Sequence, residues 1–344
     1  MSIWWLLPAV AGISLFLTGA LRRYALARSL IDIPNARSSH SVPTPRGGGV
    51  AIVVSFLLAL PLMAGIGLLA WPLAWALLGA GAGIALLGFL DDHGHIAARW
   101  RLLGHFAAAI WALFWLGGLP SVEMFGFIVD LGWFGHALAA IYLVWLLNLY
   151  NFMDGIDGIA SVEAICVCIG GALVYVLLGF AGSTQPTVWA MPMLLAAAVA
   201  GFLFWNFPPA RIFMGDAGSG FLGIILGVLS LQAAWAAPQL LWSWLILLGV
   251  FIVDATFTLL RRLLRGDKVY EAHRSHAYQY ASRQLGRHLP VTLTVAALNL
   301  LWLLPIALWV GAGGVDGLFA LLIAYLPLML LCIKFHAGEL ESRT

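Results

Sequence analysis

Charge is what this chain has least of. Asp, Glu, Lys and Arg together make up 9% of its 344 residues, against roughly a quarter in a soluble globular domain. That scarcity excludes an ordinary water-facing surface, and a formal net charge of only +2 gives no footprint for nucleic acid. Cysteine is nearly absent too. Cys166, Cys168 and Cys332 all lie in apolar runs and form neither a CxxC pair nor a disulfide framework, so they read as packing residues. The first residues lack a basic n-region and an A-x-A site, and Arg22 and Arg23 follow the first apolar run instead of preceding it. This predicts a retained first span, not a cleaved signal. No internal repeat, low-complexity tract or polar stretch long enough for a soluble domain interrupts the sequence. Residues 1–344 are expected to form one integral-membrane domain.

What is present in quantity is apolar: 62% of residues are hydrophobic and the mean hydropathy is +0.98. Runs of about twenty such residues predict an all-α polytopic membrane protein. Eleven candidate spans fall near 3–21, 48–69, 71–90, 102–118, 134–152, 159–180, 189–207, 219–236, 239–260, 289–310 and 315–333. With that numbering, all 17 Lys and Arg residues fall in alternate loops on one side. Positive residues in short loops stay cytoplasmic, so the N-terminus is expected outside and the C-terminus inside. The cytoplasmic loops would then be 22–47, 91–101, 153–158, 208–218 and 261–288.

The few acidic residues gather at the same face. Asp91 and Asp92 end the third run, Asp154 and Asp157 follow the fifth, and Asp216 precedes the eighth. The stretch "NLYNFMDGIDGIA" spaces Asn148, Asn151, Asp154 and Asp157 three apart, a polar ridge on the last turns of a helix. Such side chains at a membrane boundary cost several kcal/mol in total unless they meet water or partners. Carboxylate and amide oxygens are the ligands that Mg2+ prefers. The start of the eighth helix, rich in glycine around Asp216, offers N–H groups suited to a phosphate. Simpler readings stand beside these: Asp91 and Asp92 as a solvated loop, Gly47 to Gly49 as a flexible lead-in, and His273 and His276 as interfacial residues. Glu163 and Asp254, inside spans, are either functional groups or helix-pairing ones.

Taken together, "NFMDGIDG", "FMGDAGS", the Asp91-Asp92 pair, "DIPNARSSHSVPTPRGGG" and "HRSHAYQ" resemble the polyprenyl-phosphate N-acetylhexosamine-1-phosphate transferases. The flavour is that of the O-antigen-initiating branch, since His273-Arg-Ser-His276 stands where the pentapeptide enzyme carries three histidines. The lysine that often follows the aspartate pair is missing; His93, Gly94 and His95 are there instead. The resemblance implies transfer of a sugar 1-phosphate from a UDP-N-acetylhexosamine to undecaprenyl phosphate at the cytoplasmic face of a bacterial inner membrane, with release of UMP. It implies Mg2+, with Mn2+ as a substitute, among Asn151, Asp154 and Asp216, and uracil contacts from Asn206 and Phe213. Arg37, Arg46 and Arg211 would offset substrate charge, Asn148 would belong to the substrate site, and Asp157, His273 and His276 would position the diphosphate. Asp91 or Asp92 would orient the acceptor or remove a residual proton in a single displacement. A homodimer is left open. Two rival readings stand against it: an ion-coupled transporter, which would place its acids nearer the membrane midplane, and a CDP-alcohol phosphotransferase, whose DGxxAR opening is missing after Gly158.

Overall fold

The computed structural model describes residues 3–34, 40, 42–94, 96–179, 187–267 and 273–339. Among them are fourteen α-helices and two short hairpins. In chain order the first helices are α1 (Leu6–Ala27), α2 (Val50–Gly65), α3 (Trp71–His93), α4 (Ala98–Leu116), α5 (Gly132–Met153), α6 (Ile159–Leu177) and α7 (Thr187–Asn206). There follow α8 (Asp216–Ala236), α9 (Gln239–Leu247), α10 (Gly249–Leu264), α11 (Ala277–Leu285), α12 (Leu289–Leu298), α13 (Leu304–Gly311) and α14 (Gly317–Lys334). Strands β1 (Ile31–Asp32) and β2 (Thr44–Pro45) pair antiparallel, as do β3 (Val122–Met124) and β4 (Phe127–Val129).

Every expected span coincides with helix, but not every one with a single long helix. Eight helical stretches are long and apolar enough to cross a membrane, counting α12 and α13 as one through the π-helical turn Asn299–Leu303. The α9–α10 pair brings the number to nine if its 71° bend lies within one span. The remaining two expected spans are α2, only 16 residues long, and α4, whose first turn carries Arg99 and Arg101. Large apolar side chains lie exposed around the bundle, among them Phe16, Phe114, Leu264 and Leu301, each at least 76% accessible. That outward apolar surface is what a lipid-facing protein presents.

The core is built around α8, in which every residue from Ala217 to Ala234 is buried. Its glycines explain how neighbours come so close. A Cβ on Gly223 would sit 2.5 Å from the Leu147 Cα of α5, and one on Gly218 2.7 Å from the Gly49 Cα that leads into α2. On the α3 side, a Cβ on Gly88 would lie 2.6 Å from the Asp216 carbonyl oxygen. Small residues thus let backbones meet directly, the usual means of packing helices where lipid supplies no hydrophobic drive between them. Gly49 accordingly serves close packing, not a flexible lead-in.

The bend between α9 and α10 was not expected from the unbroken apolar run. It leaves the first N–H groups of α10 without helical partners, and the buried Glu163 of α6 accepts a hydrogen bond from the Phe251 backbone there. Asn299, in the π-helical turn, donates to Glu163 Oε2 at 2.6 Å. Glu163 therefore pairs helices, one of its two expected readings.

Candidate active site

The polar ridge and the α8 start do converge. Helix α5 ends at Met153, the loop Asp154–Gly158 turns through Gly158 at φ +73°, and α6 begins at Ile159. Opposite, Gly215 at φ +79° turns the chain into α8; a Cβ there would also lie 2.8 Å from an Asp92 oxygen, so only glycine fits. The β1–β2 hairpin closes a third side, with the Phe213 N–H donating to Pro45 O at 2.8 Å and the Gly48 N–H to Phe213 O at 2.9 Å. Between them lies a cavity of about 240 Å³. Asn151, Asp154, Asp157, Asp216, Arg46, Asn206 and Phe213, all expected site residues, line it with Asp32, His40, Gln279 and His288.

Its charge is unbalanced toward the negative. Arg46 Nη2 lies 2.7 Å from Asp92 Oδ1 and 2.6 Å from Asp216 Oδ1. Burial works against the Arg46 charge, but Asp216 and Asp92 outweigh it and its pKa is raised. Asp154 makes no such short ion pair among the described residues, though Arg46 also pulls on it. Burial, with Asp216 adding to it, holds its carboxyl well above the usual carboxylate range. Among the described residues no three His, Cys, Asp or Glu side chains form a metal cage by themselves. Two carboxylates and the Asn151 amide, all hard oxygen donors, instead fit a cation shared with substrate phosphates, as Mg2+ commonly is.

Asp91 and Asp92, adjacent in sequence, do different things. Asp92 accepts from the Asp216 N–H at 3.2 Å and the Ala217 N–H at 3.4 Å. The α8 N-terminus is thereby capped by a side chain, which corrects the expectation of free N–H groups for a phosphate. Asp91 turns the other way. It pairs with Arg101 and accepts the Ile96 N–H at 2.8 Å, lining a second cavity of about 210 Å³ with Arg101, His105 and Asn148. Asn151 and Asp216 border both cavities. Asn148 donates to Val144 O at 2.7 Å and lies 3.2 Å from His105 Nδ1. Beyond Leu87 the second cavity adjoins an apolar groove of about 480 Å³ between α3 and α4.

The other expected residues divide. Asp157 accepts the Ala210 N–H at 3.0 Å and lies 3.1 Å from His288 Nδ1. Asn206 accepts the Gly158 N–H at 3.1 Å and donates to Ile212 O at 3.0 Å, tying the two loops together. Phe213 meets His40 edge to face at 4.8 Å. His276 is buried at the start of α11, 3.3 Å from Asp254, and His273 stands beside it; neither lines either cavity. Arg211 turns away to lie over Phe204 and Trp205. Arg37, Lys268 and His95 fall outside the described residues. Arg101, His105 and His288 were missed as site residues, because a lone cation or histidine in a loop carries no spacing that tells whom it meets.

The profile of glycosyl transferase family 4 matches residues 74–234, a stretch that carries Asp91, Asn151, Asp154 and Asp216. A probable undecaprenyl-phosphate N-acetylglucosaminyl 1-phosphate transferase of Bacillus subtilis is 31% identical over 77% of this chain and 73% of its own. A decaprenyl-phosphate N-acetylglucosaminephosphotransferase of Mycolicibacterium smegmatis is 31% identical over 76% and 72%. A phospho-N-acetylmuramoyl-pentapeptide-transferase of Moorella thermoacetica is 33% identical over 55% and 61%. Identity at that level over nearly three quarters of a relative's length places the chain in one family: it belongs to glycosyl transferase family 4, among the polyprenyl-phosphate hexosamine-1-phosphate transferases.

Proposed function

We propose that the protein transfers an N-acetylhexosamine 1-phosphate from a UDP-sugar to undecaprenyl phosphate at the cytoplasmic face of a bacterial inner membrane. The lipid-diphospho-sugar so formed would initiate O-antigen or another cell-envelope polysaccharide. The observation that carries this reading is the pair of cavities bordered in common by Asn151 and Asp216. One is polar and suits a nucleotide diphosphate. The other leads toward an apolar groove, suits a phosphate at the end of a hydrocarbon, and is faced by Arg101 and His105.

In this reading the acceptor phosphate enters past Arg101. A phosphate monoester is largely dianionic at pH 7, its second pKa being about 6, so its oxygen attacks the sugar-bearing phosphorus without needing a strong base. The new P–O bond forms as the bond to the UMP phosphate breaks, and UMP leaves with the electron pair. Asp91, held by Arg101 and Ile96, orients the acceptor. Asp92 and Arg46 fix Asp216. Asn151, Asp154 and Asp216 would hold Mg2+, which when bound offsets charge on the diphosphate. The broken α9–α10 pair is of a kind transporters use, but its acid, Asp254, is bound to the N–H groups of α11 and not open to an ion.

Purified protein, undecaprenyl phosphate and a panel of radiolabelled UDP-N-acetylhexosamines test the reading, with lipid-linked label and UMP as products. EDTA is expected to abolish transfer and Mg2+ or Mn2+ to restore it. Asp154→Asn and Asp216→Asn should each slow turnover at least a hundredfold, about 2.7 kcal/mol of transition-state stabilisation. No lipid-linked label from any donor would overturn the reading, and full activity in EDTA would remove the metal from it.

A further inference from the structure

The α10 carboxylate Asp254 plays no part in either cavity's chemistry, yet it is 5% exposed and surrounded by donors. Its Oδ1 accepts from the Ala277 N–H at 3.0 Å and the Thr258 hydroxyl at 3.1 Å, and its Oδ2 from the Tyr278 N–H at 3.0 Å. His276 Nδ1 lies 3.3 Å from Oδ1. The first N–H groups of a helix have no partner within it, and here one carboxylate takes two of them. The turn is locked further by the His276 N–H donating to Gln279 Oε1 at 3.3 Å.

What this turn touches next is the loop bearing Asp154. The Tyr278 hydroxyl donates to Phe152 O at 2.9 Å, one of the last carbonyls of α5, which the helix itself leaves unpaired. A Cβ on Gly155 would sit 2.2 Å from that hydroxyl oxygen, so the tyrosine tip abuts the backbone right after Asp154. Gln279, the next residue, lines the cavity itself.

We infer that Asp254 is a positioning residue for the reaction: through the α11 N-terminus and Tyr278 it braces the Phe152–Gly155 backbone and so sets where Asp154 stands. His276 then belongs to this brace and acts through it, which accounts for its burial away from both cavities. The rate arm of the test rests on the transferase reading; the exchange arm does not. A small displacement of a group near the chemistry costs on the order of a hundredfold in rate. Asp254→Asn keeps the size of the side chain but replaces an acceptor oxygen by an N–H turned toward a donor, and Tyr278→Phe removes only the hydroxyl that meets Phe152 O and the Gly155 backbone.

Each single variant is expected to lower kcat by roughly 10- to 100-fold, with KM for the UDP-sugar within about threefold of wild type and the melting temperature in detergent little changed. Because both break one brace, the double variant Asp254→Asn/Tyr278→Phe should be no slower than the slower single one. Hydrogen exchange of the 151–158 segment should quicken in both singles while α8 stays protected. Multiplying rate effects, or unchanged exchange in 151–158, would overturn the brace. If Asp254→Asn does not fold, Tyr278→Phe alone decides: wild-type kcat and exchange would overturn it. A wild-type protein that transfers nothing would sink the transferase reading, while the exchange comparison would still judge the brace.

Discussion

At the scale of single residues, charge state separates the histidine motif from the acids. Burial first, then His276 and Arg262, pull the His273 pKa from 6.5 down to about 3, against the opposing pull of Asp254 and Asp267. Near neutrality the ring is uncharged. The folded value lies below the unfolded one, so the unfolded chain binds more protons between about pH 3 and 6.5. Stability from this group is therefore complete above that window and lost as pH falls through it. The melting temperature in detergent should drop on acidification from pH 7 to 5, and His273→Gln should flatten part of that drop; parallel curves for the two proteins would show that His273 carries no such linkage. The same scale shows what was legible. Asn151, Asp154 and Asp216 were readable because their spacing and glycine neighbours put polar groups where polarity is costly. The split between Asp91 and Asp92 was not. Which of two adjacent carboxylates meets Arg101 and which meets Arg46 depends on the helical rotation of α3 against α8.

At the scale of elements, apolar runs announced helices faithfully, since in lipid the backbone must satisfy itself. They did not announce where a helix breaks. The run 239–260 reads as continuous, and nothing in it marks the bend at Leu248, beside which Glu163 of α6 meets the buried backbone of Phe251. Close helix contact is likewise invisible in a chain with 38 glycines, because the residue letter alone does not separate those with open space around them, such as Gly67 and Gly126, from those pressed against a neighbour, such as Gly81 and Gly170. Gly88 is one of the latter, because its missing side chain lets α3 rest on the carbonyl of Asp216. Gly88→Ala puts a methyl 2.6 Å from backbone that cannot yield without moving Asp216 and the N–H groups that Asp92 holds. It should lower kcat by at least tenfold in protein that still elutes as a single species in detergent. Gly65, at the end of α2 and with open space at its Cβ, should accept alanine with less than a twofold change. Equal effects at both positions would show that α3 does not set Asp216.

At the scale of the whole molecule, the one-sided arginines argue for an orientation, and the helices say where that argument is weakest. Helix α2 spans only about 24 Å at 1.5 Å per residue, short of the roughly 30 Å of a bilayer's hydrocarbon. It crosses only if the bilayer thins or flanking residues reach the interface. The sequence could not register this, because Gly47–Gly49 and Ile66–Leu69 prolong the apolar run without prolonging the helix. Three exposed positions separate the cases once Cys166, Cys168 and Cys332 are replaced: Ser29 before α2, Ile66 just after it, and Ile128 in the β3–β4 hairpin. If α2, α3 and α4 all cross, cysteines at 66 and 128 share one side and a cysteine at 29 the other. A membrane-impermeant thiol reagent should then label Ile66→Cys and Ile128→Cys in intact spheroplasts, and Ser29→Cys only after the inner membrane is opened. Labelling of 29 and 66 from the same side would make α2 a re-entrant or interfacial helix. Ser29→Cys reacting in intact spheroplasts would turn the protein over and put Asp154 and Asp216 on the face that a cytoplasmic nucleotide sugar cannot reach.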